Sequence, residues 1–405
     1  TTVSQALDER QMLDSIGGFA YLAALATNVP SALNIRRYAE LVKEKATQRN
    51  LARIGGEIVD GAMAPNADVD VLIEDSERKI FDLHQRRIVK PPVTFKQILG
   101  RVFDSIDNRY HSDRREITGI STGFRKIDVM TAGMQRGDLI VVAGRPSMGK
   151  TAIAMNIAEH VGLVEKKPVA VFSIEMSDMA LVQRMLGSVG RVDQHKLRTG
   201  MLHDEDWERL SMAMSRLHEA PFLIEETAAL TISEMRARAR RIKRDNPDLG
   251  LVVVDYLQLM ATKGSTQSER TSEIGEISRG LKALAKELDV PVMALSQLNR
   301  GVEQRINKRP MNSDLRDSGS IEQDADVIIH MYREEYYNED SPARGYAEAI
   351  IGKQRNGDTG TVYLRFIKQE TRFEDCDWTP PKREKKKKKG FDAEDKPQER
   401  ADIDG

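Results

Sequence analysis

One segment constrains the fold of this chain more than any other. Leu139-Ile-Val-Val-Ala143 is a run of five apolar residues, and it leads directly into Gly144-Arg-Pro-Ser-Met-Gly149-Lys150-Thr151. The next residues, Thr151–Val161, carry a helical apolar pattern. A strand must therefore deliver the chain into a glycine turn that opens a helix. A turn of the form G-x-x-x-x-G-K-[ST] points successive backbone N–H groups inward and makes an anion nest at a helix N-terminus. Phosphate is the anion it fits. Ser147, Met148, Gly149, Lys150, Thr151 and Ala152 are the expected nucleotide contacts. Lys150 supplies a point charge for β- and γ-phosphates, and Thr151 a hydroxyl for Mg²⁺.

Further strand candidates alternate with helical stretches: Val169–Ile174, Phe222–Ile224, Leu251–Asp255, Pro291–Ser296, Ala325–Met331, Ala347–Gly352 and Val362–Ile367. Helices are expected over Asp204–His218 and Ser272–Leu288. Continuous apolar strands separated by helices predict an α/β fold with a largely parallel, buried sheet. Such sheets bind ligands at the carboxyl ends of their strands. Polar residues that close strands are therefore site candidates. Asp255 closes Leu251-Val-Val-Val, about 105 residues after the phosphate loop, where a carboxylate holds Mg²⁺. Glu175 closes Val169–Ile174. A carboxylate there orients and deprotonates water for attack on a γ-phosphate; the alternative is an acid ahead of a helix starting at Ser177-Asp178. Gln297 follows Ser296 at a fourth strand end, where an amide contacts a γ-phosphate without adding charge.

Composition narrows the classes. Of 405 residues, 40 % are apolar and 31 % charged, with 62 Lys and Arg against 63 Asp and Glu. That is too apolar for wholesale disorder and long enough for two domains. Balanced charge argues against a general basic coat for nucleic acid, though not against a local basic groove. The single cysteine, Cys376, excludes an internal disulfide and suits a reducing cytosol. No apolar stretch is long enough to span a bilayer, and the first ten residues do not read as a signal peptide. The histidines form no zinc-type motif, and no G-x-S-x-G elbow occurs.

Ahead of the α/β region, residues 1–88 read as a small all-α domain. Leu41, Val42, Leu51, Ile54 and Ile58 recur at helical spacing, and a second apolar run covers Val69–Leu83. The stretch Gly61–Asn66 punctuates the two, so a helical hairpin is expected. Residues 89–117 form a linker. After Pro91-Pro92, Thr94 caps a helix to about Arg109 whose stripe is Phe95, Ile98, Leu99, Val102, Phe103 and Ile106. The stripe either packs on its own chain or docks on a neighbouring subunit and links a ring. The α/β domain occupies residues 118–379. Residues 380–405 read as a disordered charged tail, with nine bases and seven acids in residues 381–405.

Six ordered motifs carry a family likeness: Gly144–Thr151, Phe172-Ser-Ile-Glu-Met-Ser177, Val254-Asp-Tyr-Leu-Gln-Leu259, Ala294-Leu-Ser-Gln-Leu-Asn-Arg300, Asp314–Asp326 and Gly352-Lys-Gln-Arg-Asn-Gly357. Together they closely resemble DnaB-type replicative DNA helicases, over residues 10–375. The resemblance implies a RecA-like P-loop NTPase domain with a mainly parallel sheet, assembled as a homohexameric ring with ATP between subunits. It implies Lys150 and Thr151 as phosphate and magnesium residues, Glu175 as catalytic base, Asp255 as metal-site acid, Gln297 as γ-phosphate sensor and Arg184 as a nucleotide-site arginine. Lys353 and Arg355 match a pair inserted into the neighbour's ATP site, and cations spaced i, i+2 at a strand end point to one side. Arg316, Asp317 and Gly319 match a loop that contacts the single-stranded DNA backbone, and Arg300 a nearby loop base. Asp317 stands where the family more often has Glu, which shortens its reach.

The implied activity is ATP-driven translocation on single-stranded DNA, 5′ to 3′, with unwinding of duplex at the replication fork. The implied partners are a primase and a helicase loader, and the implied setting is the cytoplasm, without a membrane. Roughly the first half of the family's N-terminal helical domain has no counterpart in this sequence. Two other readings compete: a recombinase-like DNA-dependent ATPase that forms filaments, and a non-enzymatic nucleotide-binding scaffold.

Overall fold

The computed structural model describes residues 13–14, 17–27, 35–65, 69, 72, 75–76, 79–80, 83, 94–111, 117–227, 230–260, 267–315 and 319–380. The chain divides into two units, Thr1–Asp104 and Ser105–Gly405. The charged tail and the break at Pro91-Pro92 lie outside the described residues.

The first unit contains helices α1 (Gly18–Thr27) and α2 (Ile35–Met63). Ile54 is buried, while Leu41, Val42 and Leu51 on the same helix are exposed. Helix α2 runs through Gly61, past the start of the expected break, and ends just before Pro65, whose ring disfavours helix in the preceding residue. The second apolar run returns against it. Lys79 pairs with Glu57 at 3.1 Å and with Asp75 at 2.8 Å. A Cβ on Gly61 would lie 2.6 Å from a Leu72 methyl, so glycine permits this close approach. Helix α3 (Phe95–Tyr110) begins after Thr94, whose N–H donates to Gln97 Oε1 at 3.1 Å. Its apolar stripe is exposed, Phe95 by 78 % and Phe103 by 70 %.

In the second unit, α4 (Arg125–Thr131) precedes β1 (Leu139–Gly144) and α5 (Lys150–Leu163). Next come β2 (Val169–Ser173), α6 (Asp178–Gly190), α7 (Gln194–Thr199), α8 (Asp204–His218) and β3 (Phe222–Glu226). After α9 (Ile232–Asp245) follow β4 (Leu251–Asp255), α10 (Gln267–Leu288) and β5 (Val292–Gln297). The last elements are α11 (Gly319–Asp324), β6 (Val327–Tyr332), β7 (Tyr346–Gln354), β8 (Gly360–Ile367) and β9 (Arg372–Asp375). The strands form one sheet in the order β3-β2-β4-β5-β1-β6-β7-β8-β9. The first six in that order are parallel, as the sequence leads one to expect. The last three extend the sheet antiparallel. Strand β9 is an addition to the expected set. Arg372-Phe-Glu-Asp375 holds one apolar residue and gives no apolar run to detect.

The two-residue period of a strand sends alternate side chains to opposite faces. On β1, Ile140 and Val142 join Ile153, Ile157 and Val161 of α5 in one core. Leu139, Val141 and Ala143 join Ile277, Leu281 and Leu284 of α10 in the other. On β4, Leu251 and Val253 face the first core and Val252 and Val254 the second. Burial on both faces explains why these strands read as unbroken apolar runs. It also aligns their ends. Gly144 sits opposite Gln297 in the β1–β5 register, and Ser173 opposite Asp255 in the β2–β4 register.

Candidate functional site

The phosphate loop runs from Gly144, which ends β1, to Lys150, which begins α5. Ser147 and Gly149 adopt positive φ, 66° and 92°. Gly149 is doubly constrained, because a Cβ there would also lie 2.6 Å from the Phe373 ring of β9. Two buried arginines brace the loop. Arg333, just past β6, donates to the Ser147 carbonyl at 3.0 Å. Arg145 donates to the Leu298 carbonyl at 2.9 Å and pairs with Glu303 at 2.9 Å.

The loop walls an open pocket of about 660 Å³, lined by Ser147, Gly149, Lys150, Thr151, Ala152, Glu175, Arg184 and Gln297. Asp255 lies beneath Thr151, whose Oγ1 donates to Asp255 Oδ2 at 3.1 Å. Met148 differs from the others. Its side chain is buried in the core, and its N–H donates to the Arg145 carbonyl at 3.3 Å. It therefore supports the loop from behind.

Charge inside this pocket is out of balance with its burial. Burial pushes the Lys150 ammonium pKa down, and the negative charges of Asp255 and Glu175 push it back up. Burial, then the charge of Glu175, push the Asp255 carboxyl up to about 6, against the opposing pull of Thr151, Lys150 and Arg184. A cation placed beside Asp255, or an anion beside Lys150, relieves these penalties.

Each strand end is fixed by local contacts. Glu175 sits in a turn held by Ser173 Oγ, which donates to the Met176 carbonyl at 2.6 Å. The Ile174 N–H donates to the Asp255 carbonyl at 2.9 Å. The start of α6 is capped by other groups: Ser177 Oγ accepts from the Ala180 N–H at 3.3 Å, and Glu226 accepts from the Asp178 N–H at 3.0 Å. Glu175 is thus spared the capping role that the sequence left open.

Gln297 is held by Gln258, a residue within the Val254–Leu259 motif to which the sequence assigns no role. Gln258 Oε1 accepts from the Gln297 N–H at 3.2 Å, while its Nε2 donates to the Gln297 carbonyl at 3.3 Å and to Ser296 Oγ at 3.0 Å. Behind α5 lies a second unforeseen cluster. Glu159 accepts from Ser188 at 2.9 Å and from Arg372 at 3.2 Å, and burial pushes its carboxyl up to about 7. The Phe373 N–H donates to Asn156 at 2.8 Å. This ties β9, and with it the ring against Gly149, to α5. Pairings of residues far apart in the chain leave no local pattern, so the sequence had no signal for them.

Lys353 and Arg355 stand apart from the pocket. In the antiparallel register Lys353 lies opposite Ile328 of β6, and the Arg355 N–H donates to the Asp326 carbonyl at 3.0 Å. The Asp326 N–H in turn donates to the Leu139 carbonyl at 2.9 Å, at the start of β1. Arg355 is therefore level with the opposite end of the parallel strands, about 17 Å of strand from Gly144. Lys353 Nζ donates to the carbonyls of Glu322, Gln323 (3.3 Å) and Ala325 (2.7 Å), and Arg355 reaches the same Gln323 carbonyl at 2.8 Å. Arg300 is exposed and opens a short turn, Arg300–Gln304, separated from β5 by two residues. Gly319 begins α11 and is exposed. Arg316 and Asp317 lie outside the described residues.

A family model described as the DnaB-like helicase C terminal domain matches residues 119–375, and one described as the DnaB-like helicase N terminal domain matches residues 1–44. The chain belongs to the DnaB-like helicase family. It is 48 % identical to the replicative DNA helicase DnaB of Geobacillus stearothermophilus over 372 residues, 92 % of this chain and 82 % of that protein. It is 45 % identical to the replicative DNA helicase DnaC of Bacillus subtilis (strain 168), with the same coverage of 92 % and 82 %. A DnaB-like replicative helicase, solved in a study of its interactions with primase, superposes with a TM-score of 0.74 at 34 % identity, covering 92 % of this chain and 87 % of that one. The six motifs thus belong to the family they resemble.

The raised Asp255 pKa has a measurable consequence for the DnaB-like fold. A carboxyl that holds its proton more tightly when folded than when unfolded lowers stability as pH rises from about 4 to about 6, and the loss persists above that range. Asp255→Asn removes the ionised form. In nucleotide-free protein it is expected to raise stability to urea at pH 7.5 by up to about 3 kcal/mol, with a clearly smaller gain at pH 5. Equal gains at both pH values would contradict this assignment.

Proposed function

We propose that this chain is a replicative DNA helicase that hydrolyses MgATP within a homohexameric ring, travels 5′ to 3′ on single-stranded DNA and unwinds duplex ahead of it. One observation carries the assembled form of this reading. Lys353 and Arg355 sit at the end of the strands opposite their own phosphate loop, so a subunit uses them only on a neighbour's nucleotide. Arg suits the charge that develops on a phosphoryl group in transfer. To engage there, both cations must leave the carbonyls they hold at and just past the end of α11.

Within the pocket, the loop N–H groups and Lys150 balance phosphate charge, and Arg184 adds to them. Glu175 takes the proton from the attacking water, and Gln297, steadied by Gln258, reads the γ-phosphate. Thr151 and Asp255 are hard oxygen donors 3.1 Å apart and suit Mg²⁺. The ion when bound neutralises phosphate charge. Arg300, with Arg316, Asp317 and Gly319, tracks the DNA backbone without reading bases.

We assign residues 1–88 to a partial N-terminal helical domain, 89–117 to the linker, 118–379 to the ATPase domain and 380–405 to a charged tail. By analogy with the relative solved in the primase study, a primase is the expected partner, together with a loader. Among the described residues no helix is long and apolar enough to cross a membrane, and the proposed setting is the cytoplasmic replication fork.

Two outcomes test this reading. Glu175→Ala is expected to keep ATP binding in an equilibrium assay and to lose about 10²–10⁴-fold in DNA-stimulated hydrolysis. A variant that hydrolyses at the wild-type rate would assign the base elsewhere. The doubly substituted Leu99→Asp, Phe103→Asp chain is expected to elute as smaller species than the wild-type assembly, with mass read by light scattering. An unchanged mass would place the stripe against its own chain.

A further inference from the structure

Arg145 belongs to two places at once. It lines the phosphate pocket, and its positive charge reaches Lys150, whose pKa it pushes down. Yet the guanidinium is aimed away along the strand ends. Nη1 donates to the Leu298 carbonyl at 2.9 Å, and Nε pairs with Glu303 at 2.9 Å, with the Arg145 side chain only 10 % exposed. Glu303 lies in the same short turn as Arg300. The two residues that lead into that turn are pinned to two different neighbours. The Leu298 N–H donates to the Gly144 carbonyl at 3.3 Å, which ties it to the phosphate loop. The Asn299 N–H donates to the Asp314 carbonyl at 2.8 Å, and Leu298 bridges Leu315. Asn299 caps the turn, accepting from the Gly301 N–H at 3.2 Å. The Ser147 carbonyl is meanwhile held by Arg333, so the loop backbone is braced while the Arg145 side chain spans the gap.

We propose that Arg145 is a coupling residue, shared between the phosphate pocket and the turn that carries Arg300, such that nucleotide phosphate competes with Glu303 for its guanidinium and resets the turn's hold on single-stranded DNA. The competition is chemically direct. A guanidinium has five donors in a rigid fork, and polyphosphate is a stronger, bidentate acceptor than one partly exposed carboxylate. The two arrangements of Arg145, on Glu303 or on phosphate, are the two states between which ligands choose. This rests on the assignment of Arg300 to DNA and of the pocket to ATP.

Thermodynamic linkage provides the test, because nucleotide must change DNA affinity by the same factor that DNA changes nucleotide affinity. The full chain and its Glu303→Ala and Glu303→Gln variants are titrated with a fluorescent oligo-dT, with and without a non-hydrolysable ATP analogue. The analogue is also titrated with and without the oligonucleotide. Wild type is expected to show a linkage of about 5–150-fold. In Glu303→Ala the factor falls to within about twofold of unity while affinity for the analogue alone rises, because the competing carboxylate is gone; Glu303→Gln, which keeps an acceptor oxygen, lies between. Linkage of wild-type size in both variants overturns the proposal, and so does an unchanged or weakened affinity of Glu303→Ala for the analogue alone, which would make the pair a structural brace. Arg300→Ala serves as a separate control. If it leaves DNA affinity intact, the DNA assignment of the turn fails, whatever the Glu303 variants do.

Discussion

Lys150 feels the charges of both Asp255 and Glu175, partly withdrawn from water, and the rest of the site follows from what makes that placement possible. Four parallel strands, β2, β4, β5 and β1, end side by side, so the residues that close them meet without any loop reaching across. The register sets Asp255 beside the end of β2 and Gln297 beside Gly144. Two apolar layers hold the strands in place, and they desolvate the ends as well as the middles. Charged groups placed there are held at a cost, which ligand charge relieves. The proposed selection for phosphate and a divalent cation is in this sense a property of the sheet as much as of the glycine loop.

The antiparallel arm has a different part. It carries Lys353 and Arg355 to the far end of the strands, where both rest on carbonyls at and just past the carboxyl end of α11. It also returns β9 against the phosphate loop, with Phe373 over Gly149. One arm therefore shapes the chain's own pocket and, in the proposed ring, completes another's. Hydrolysis in such a ring depends on assembly, and the exposed stripe of α3 is the surface through which assembly is proposed to form. Asn312 joins these parts, donating to the carbonyl of Gly352 and to Glu322 at 3.1 Å each, and meeting His330 at 2.9 Å.

Much of this is legible in the sequence. The parallel strands announce themselves because both faces are buried, and the loop motif announces itself because backbone geometry demands glycine at fixed positions. Asp255, Glu175 and Gln297 could be picked out as polar residues closing apolar runs. β7 and β8 were legible as strands but not in their antiparallel sense, and β9, a single phenylalanine among charges, was not legible at all. Nor were the residues that position others. Gln258 on Gln297, Arg145 on Glu303, Arg333 on Ser147 and Arg372 on Glu159 each join segments far apart in sequence. Such pairs become visible only when the sheet has brought their strands together. The sequence also left Glu175 open as a helix-capping acid, and the capping contacts of Ser177 and Glu226 close that option.

The most direct measurement is ATP-dependent unwinding of forked DNA duplexes carrying a single-stranded 5′ tail, a 3′ tail, or both, with assembly mass recorded on the same samples. The account predicts unwinding that requires the 5′ tail and is carried by a hexamer. Unwinding from the 3′ tail alone, or by a monomer, would contradict it.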